Sequence, residues 1–147
     1  YVLYEGIPDM WSKFTFEHPA IIGIYGMLPG DGVDRKVLEN TFDKILSSWN
    51  FRRIWGWDFP MLAMTAVRLG RPELAIDLLL HDNYIFDEHG LAYGEGSPYP
   101  YFPSNGGLLT AIAMMAAGWD GCSEDAAPGF PNDGSWKVTF ENLHKLP

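Results

Sequence analysis

Residues 55–80, WGWDFPMLAMTAVRLGRPELAIDLLL, decide the fold class. Residues 59–69 contain one charge, Arg68, so a helix formed there would be apolar nearly all round. Gly70 is expected to end this helix, and the sequence predicts another over Glu73–Leu80. Because the connection is so short, the two helices are expected to form an αα-hairpin. A helix without a charged face is expected to be buried inside something larger.

Two further segments predict helices of different character. Residues 34–50 begin with Asp34 as the N-cap and carry an apolar stripe at helical spacing, with the charges off that stripe. Residues 106–118 have no charged face, and Asn105 is their expected N-cap. Nearly uncharged inner helices paired with amphipathic outer ones are expected of a helical toroid. The prediction is therefore an all-α fold of helical hairpins. Residues 1–147 would form a single segment of a larger barrel, because so short a chain cannot close the ring.

The remaining segments are rich in turns. The apolar run 20–28 is compatible with a strand or with a short buried helix. Residues 81–105 predict one long loop, and loops of that length are usually functional. In the tail, the turn Asn132-Asp133-Gly134 and the following residues 136–140 predict a small C-terminal β-hairpin.

The composition excludes several classes of function. The chain has 10 Lys and Arg against 19 Asp and Glu, so its net charge of −9 disfavours nucleic acid and anionic membrane surfaces as partners. The longest apolar stretch, residues 106–119, is shorter than the roughly 20 residues of a membrane span. The single cysteine, Cys122, excludes an internal disulfide and a thiolate zinc site. The four histidines lack metal-ligand spacing and no phosphate or dinucleotide fingerprint is present, so neither a metal nor a cofactor is expected.

Aromatic side chains are unusually frequent for a chain with so many turns. There are 6 Trp, 7 Tyr and 9 Phe residues beside 16 Gly and 11 Pro residues. Aromatic faces stack on the apolar C–H faces of sugar rings, so such loops suit a carbohydrate cleft. The alternative is that these rings simply fill the core.

Three groups of residues are candidates for a site. Asp58, at the start of a predicted helix and between Trp55 and Trp57, would act as a base or as an acceptor for a sugar hydroxyl; the alternative is a simple N-cap. Asn105, which follows Tyr101 at the end of the long loop, could bind a sugar hydroxyl or orient a water; its alternative is also capping. The segment Trp11–Pro19 completes the set. It contains Phe16 and a neighbouring carboxylate and imidazole, Glu17 and His18; the alternative is that this pair simply lies on the surface.

Three motifs together resemble the C-terminal part of bacterial glycoside-hydrolase-like proteins of the six-hairpin, (α/α)6-toroid class, often described as similar to families 65 and 95. They are His18-Pro19-Ala20-Ile21-Ile22-Gly23 with Gly26-Met27-Leu28-Pro29, Trp55-Gly56-Trp57-Asp58-Phe59-Pro60-Met61 with Arg68-Leu69-Gly70, and Tyr101-Phe102-Pro103-Ser104-Asn105-Gly106-Gly107. The resemblance covers the chain from about residue 5 to its end.

This resemblance implies inverting hydrolysis, or phosphorolysis, of a glycosidic bond, which needs a general acid and a base or phosphate on the opposite face. The partners would be an oligosaccharide or glycoside and the remainder of the barrel, upstream of Tyr1. The aspartate that serves as base in family 95 has no counterpart before Asn105, where Pro103-Ser104 stand, so Asp58 is the substitute. The acid would lie upstream unless Glu17 serves. The resemblance also suggests a secreted or periplasmic setting.

Two other functions remain open. A non-catalytic carbohydrate-binding or scaffold protein with the same toroid fold would keep the aromatic subsite and lack turnover. Another (α/α) toroid enzyme is the weaker alternative. A terpenoid cyclase would need an Asp-rich motif, which is absent, and a sugar epimerase would need catalytic histidines, for which His18 and His89 are the candidates.

Overall fold

A computed structural model of the chain describes residues 1–94 and 96–147, and it is mostly helical. One short antiparallel hairpin pairs Ile85 with Tyr93 and Phe86 with Ala92. The elements in chain order are α1 (Met10–Lys13), a 3₁₀ helix (Ala20–Tyr25), α2 (Arg35–Ser48), α3 (Asp58–Arg68), α4 (Pro72–Leu79), β1 (Ile85–Phe86), β2 (Ala92–Tyr93) and α5 (Phe102–Ala117).

Helix α3 is the centre of the molecule, and every one of its residues is buried. Helices α4 and α5 and the 3₁₀ helix all pack against it. Gly70, at φ 76°, makes the tight turn into α4, so the predicted αα-hairpin is confirmed. The described chain covers this nearly apolar helix by itself. The near absence of charge on this helix therefore does not in itself indicate that part of a larger barrel is missing, contrary to our expectation.

Helix α2 forms as its periodicity predicts. The side chain of Asp34 accepts a hydrogen bond from the backbone N–H of Val37 at 2.9 Å, which is the expected N-cap. Leu38, Phe42 and Ile45 are fully buried, while the charged side of the helix faces out. The amphipathic pattern thus places α2 on the outside of the core.

The start of α5 was predicted wrongly. The helix begins at Phe102 instead of after Asn105, so Asn105 lies within its first turns and is not the N-cap. Pro103 occupies the first turn, where its missing N–H costs nothing. Unlike α3, this helix keeps an exposed apolar side, on which Leu109 is 70% and Phe102 61% exposed.

Two other segments differ from expectation. The predicted long loop 81–105 contains the β1–β2 hairpin and the first turn of α5. The predicted C-terminal β-hairpin does not form, and no strand is assigned in residues 128–147, all of which the structure describes. The Asn-Asp-Gly turn itself is present, since Asp133 accepts a hydrogen bond from the N–H of Ser135 at 2.9 Å. The residues before this turn, which would have formed the partner strand, lie against α5 instead. There the N–H of Gly129 donates to the carbonyl of Met115 at 2.9 Å.

The apolar run before α2 is a short helix and not a strand. The 3₁₀ helix Ala20–Tyr25 buries Ile22 completely and is followed by a close approach to α3. A Cβ atom at Gly26 would lie 2.4 Å from Oγ1 of Thr65, so only glycine fits there. This packing fixes the segment before the 3₁₀ helix, which includes His18, against the start of α3. No helix in the described part of the chain is long and apolar enough to cross a membrane.

Candidate functional site

The structure brings His18 and Asp58 together, although 40 residues separate them in sequence. Nδ1 of His18 lies 3.0 Å from both carboxylate oxygens of Asp58. His18 comes from the segment before the 3₁₀ helix, and Asp58 is the first residue of α3. Because Nδ1 faces the carboxylate, Nε2 is the ring nitrogen that points away from it. The pair therefore forms a carboxylate–imidazole dyad in which Asp58 orients the imidazole.

Asp58 does not act as the predicted N-cap. The N-cap position belongs to Trp57, and no side chain caps this helix end. The carboxylate turns back along the chain instead, where Oδ2 accepts a hydrogen bond from the N–H of Trp55 at 2.9 Å. The N–H of Asp58 in turn donates to the carbonyl of Trp55 at 3.0 Å. These two bonds leave the carboxylate aimed at His18.

Burial dominates the electrostatics of Asp58. Its side chain is fully buried, and this loss of solvation raises the pKa of the carboxyl from 3.8 to about 6. The hydrogen bonds from His18 and Trp55 act in the opposite direction and only limit that rise. A carboxyl group with no exposed surface cannot touch a ligand in this structure. Any effect of Asp58 on a ligand must therefore pass through His18.

A pocket of about 390 Å³ opens beside His18. The imidazole side chain is 35% exposed, and the pocket walls also contain Trp55, Glu17 and Arg53. The guanidinium of Arg53 lies 4.3 Å from the ring centre of Phe16, so the cation is held over an aromatic face. The pocket thus combines apolar rings with one carboxylate, one guanidinium and one imidazole.

The tryptophans hold the imidazole from two directions. The rings of Trp55 and Trp57 each lie 5.2 Å from the His18 ring, in edge-on arrangements. The indole N–H of Trp57 also reaches Nδ1 of His18 at 3.1 Å. Behind Trp55 lies Tyr101, at 5.2 Å and nearly perpendicular, and 9% exposed. Burial, with a smaller effect of the Asp58 charge, raises the pKa of the Tyr101 phenol.

Trp57 also borders a second, larger cavity. This cavity is about 690 Å³, and its walls are almost entirely apolar. Ile24, Met27 and Leu28 line it, and each of them is more than 40% exposed. Trp57 therefore separates an apolar cavity from the polar dyad.

Asn105 does not belong to the pocket at His18. The N–H of Ala92 donates to its Oδ1 at 3.1 Å, and its Nδ2 donates to the carbonyl of Gly90 at 2.7 Å. Both ends of the amide are therefore engaged by the β1–β2 hairpin. The visible role of Asn105 is to fasten that hairpin to α5.

Two features of the site were missed in the sequence. Arg53 carries no local signal, because its contact with Phe16 is made only when the chain folds. Ser104 is fully buried, and its Oγ has no hydrogen-bond partner among the described residues. That hydroxyl lies where a Cβ on Gly56 would come within 2.2 Å of it, which explains why residue 56 is glycine.

Within residues 1–94 and 96–147, no three His, Cys, Asp or Glu side chains gather closely enough to hold a metal ion. No protein-family model, no characterised protein sequence and no solved structure matches the chain significantly.

Proposed function

We propose that this chain supplies a sugar-binding and proton-transferring site to a glycoside hydrolase of the (α/α)6 class. The observation that supports this most strongly is the dyad of His18 and the buried Asp58, in the wall of an aromatic pocket. A buried carboxylate that orients an imidazole is a common way to place a general acid or base.

The pocket chemistry favours a carbohydrate ligand. Sugars have apolar C–H faces, which suit the half-buried rings of Trp55 and Phe16. Their hydroxyl groups need charged or polar partners, which Glu17 and Arg53 provide on the same walls. A purely apolar ligand would leave these charged groups without partners.

Hydrolysis of a glycosidic bond requires an acid for the leaving oxygen and a base for the attacking water. We assign the base to Nε2 of His18, with Asp58 as the residue that positions the ring. Glu17 lines the same pocket and is the candidate acid. This assignment changes the role expected for Asp58, which acts through His18 because it has no exposed surface.

Two features of the helices support the toroid proposal. The α3–α4 hairpin has the buried inner helix that such a fold requires. The exposed apolar residues of α5, Leu109 and Ile112 among them, form a surface that the remainder of a barrel would cover. These features favour the toroid proposal and are also compatible with a smaller helical domain.

The test measures binding and turnover separately. Tryptophan fluorescence and calorimetry would follow titration of the chain with a panel of monosaccharides, and 4-nitrophenyl glycosides would report hydrolysis. We expect saturable binding that weakens at least tenfold in His18→Gln and is unchanged in His144→Gln, an exposed histidine in the tail. Binding without product would favour the non-catalytic carbohydrate-binding alternative. No binding of any sugar would refute the proposal.

The imidazole in the pocket also favours a second candidate, a sugar epimerase. A histidine base could remove the proton beside the carbonyl of an open-chain sugar, and His18 is placed to do so. His89, the other expected histidine, is 74% exposed and does not line this pocket. Deuterium incorporation at the carbon next to the carbonyl, measured in D2O, would distinguish epimerisation from hydrolysis.

A further inference from the structure

Nδ1 of His18 has two neighbours that make opposite demands on it. The carboxylate oxygens of Asp58, both at 3.0 Å, accept a hydrogen bond when Nδ1 carries a proton. The indole Nε1 of Trp57, at 3.1 Å, is a donor only and needs a lone pair on the same Nδ1. A single ring nitrogen cannot satisfy both partners at once.

The protonation of Asp58 decides between the two. When Asp58 is ionised, a charge-assisted bond from the Nδ1 proton to the carboxylate is the stronger interaction, and Trp57 loses its acceptor. When Asp58 carries a proton, Nδ1 has a lone pair, and both the carboxyl O–H and the indole N–H of Trp57 are donors within reach of it. Trp57 is the chain neighbour of Asp58 at the start of α3, and its indole N–H lies 3.1 Å from Nδ1 of His18.

We propose that Trp57 is a positioning residue that couples the tautomer of His18 to the protonation of Asp58. With Asp58 neutral, Nδ1 holds a lone pair and Nε2 holds the proton. With Asp58 ionised, Nδ1 holds the proton and Nε2 holds the lone pair. On going from the ionised to the neutral state, one proton is added at Nε2 and the existing Nδ1 proton moves to an Asp58 oxygen, so the pair gains one proton in total. Trp57 favours this neutral pair over an imidazolium–carboxylate ion pair.

Three further titratable groups lie near the dyad. Arg53 and Glu17 face the pocket side of His18 and carry opposite charges. The phenol of Tyr101, the further titratable group near Asp58, has a raised pKa and stays neutral. Burial raises the pKa of Asp58 to about 6, so the change falls in an accessible range.

The consequence rests on the proposed function, since it concerns the same site. The dyad would offer the pocket a proton acceptor when Asp58 is ionised and a proton donor when Asp58 is neutral. The coupling of tautomer to protonation does not depend on any substrate. Its test can therefore fail while the sugar-binding proposal stands, and the reverse also holds.

Nitrogen NMR of the ¹⁵N-labelled chain, without sugar, tests the coupling between about pH 5 and pH 8. We expect Nδ1 of His18 to gain a proton as the pH rises, which is the reverse of an ordinary histidine. A scalar coupling across the hydrogen bond between Nε1 of Trp57 and Nδ1 of His18 should be present at low pH and absent at high pH. Absence of that coupling at low pH, or a protonated Nδ1 throughout, would overturn the proposal.

Two matched substitutions separate the indole N–H from the ring. Trp57→Phe removes the donor, and we expect Nδ1 to stay protonated over the whole range. Trp55→Phe changes a ring at the same 5.2 Å distance from His18 and should retain the reversed titration. Identical behaviour of the two variants would overturn the role of Trp57. If Trp57→Phe does not fold, the coupling measured in the unsubstituted chain decides the question.

Discussion

Replacing Asp58 with asparagine should stabilise the protein at neutral pH. The folded chain holds this carboxyl with a pKa of about 6, against 3.8 for an exposed aspartate. A rise of about two pKa units corresponds to about 3 kcal/mol. Because the folded state binds the proton more tightly than the unfolded state, the contribution of Asp58 to the free energy of unfolding falls as the pH rises from about 4 to about 6. It stays low above that range.

Asparagine is neutral at every pH and has nearly the same shape. Its oxygen can still accept from the N–H of Trp55, and its amide can still donate to His18. The difference in unfolding free energy between Asp58→Asn and the unsubstituted chain should therefore be small at pH 4 and about 3 kcal/mol at pH 7.5. For a chain of this size, that corresponds to about 6 to 12 °C in Tm.

Urea denaturation followed by tryptophan fluorescence, repeated from pH 4 to pH 8, measures this difference. Subtracting the two curves removes the carboxylates that both proteins share. Asp133→Asn is the matched control, since a hydrogen bond from Ser135 lowers the pKa of Asp133 and its contribution is lost as the pH falls. A difference for Asp58→Asn that does not change with pH, or a variant less stable than the parent at pH 7.5, would refute the reasoning.

Four further substitutions test the packing around the site. Gly106→Ala should stabilise the chain by up to about 1 kcal/mol, because a Cβ at this helical position would meet no other atoms. Gly107→Ala should destabilise it by about 1 to 3 kcal/mol, because its Cβ would lie 2.8 Å from Pro60. Thermal melts of the two variants measure both effects. Ser104→Ala removes a buried hydroxyl without a partner, and urea denaturation should show no loss of stability. Asn105→Ala frees the β1–β2 hairpin, so hydrogen exchange at residues 85–93 should accelerate while α3 stays protected.

The helices could be predicted because their signals are local. The cap of α2 lies three residues from its donor, and Gly70 adjoins the helix that it ends. The start of α5 had an equally local signal in Pro103, but the Asn105-Gly106 pair suggested a later start. The prediction of a β-hairpin in the tail was wrong for a different reason. Its turn is local, but a hairpin also needs a free partner strand, and the residues before the turn are bound to α5.

The candidate site shows the limit of sequence reasoning more clearly. His18 and Asp58 were each candidates for their own chemistry, but their contact spans 40 residues and depends on the packing of the 3₁₀ helix on α3. No spacing rule links such positions. The burial of Asp58 was equally hidden, since an aspartate at a helix start is usually a solvated cap.

Helix α3 has no side that faces water, and this restricts which substitutions the helix can accept. On α2, a substitution on the charged side leaves the core unchanged, so the positions that tolerate substitution should recur with the helical period. On α3, every position from Asp58 to Arg68 is buried, so the positions that tolerate substitution should follow no helical period. Even its single cation is used internally, because Arg68 donates to the carbonyls of Gly26 and Pro147. Sequence change in this helix would therefore proceed through paired replacements with the segments that surround it.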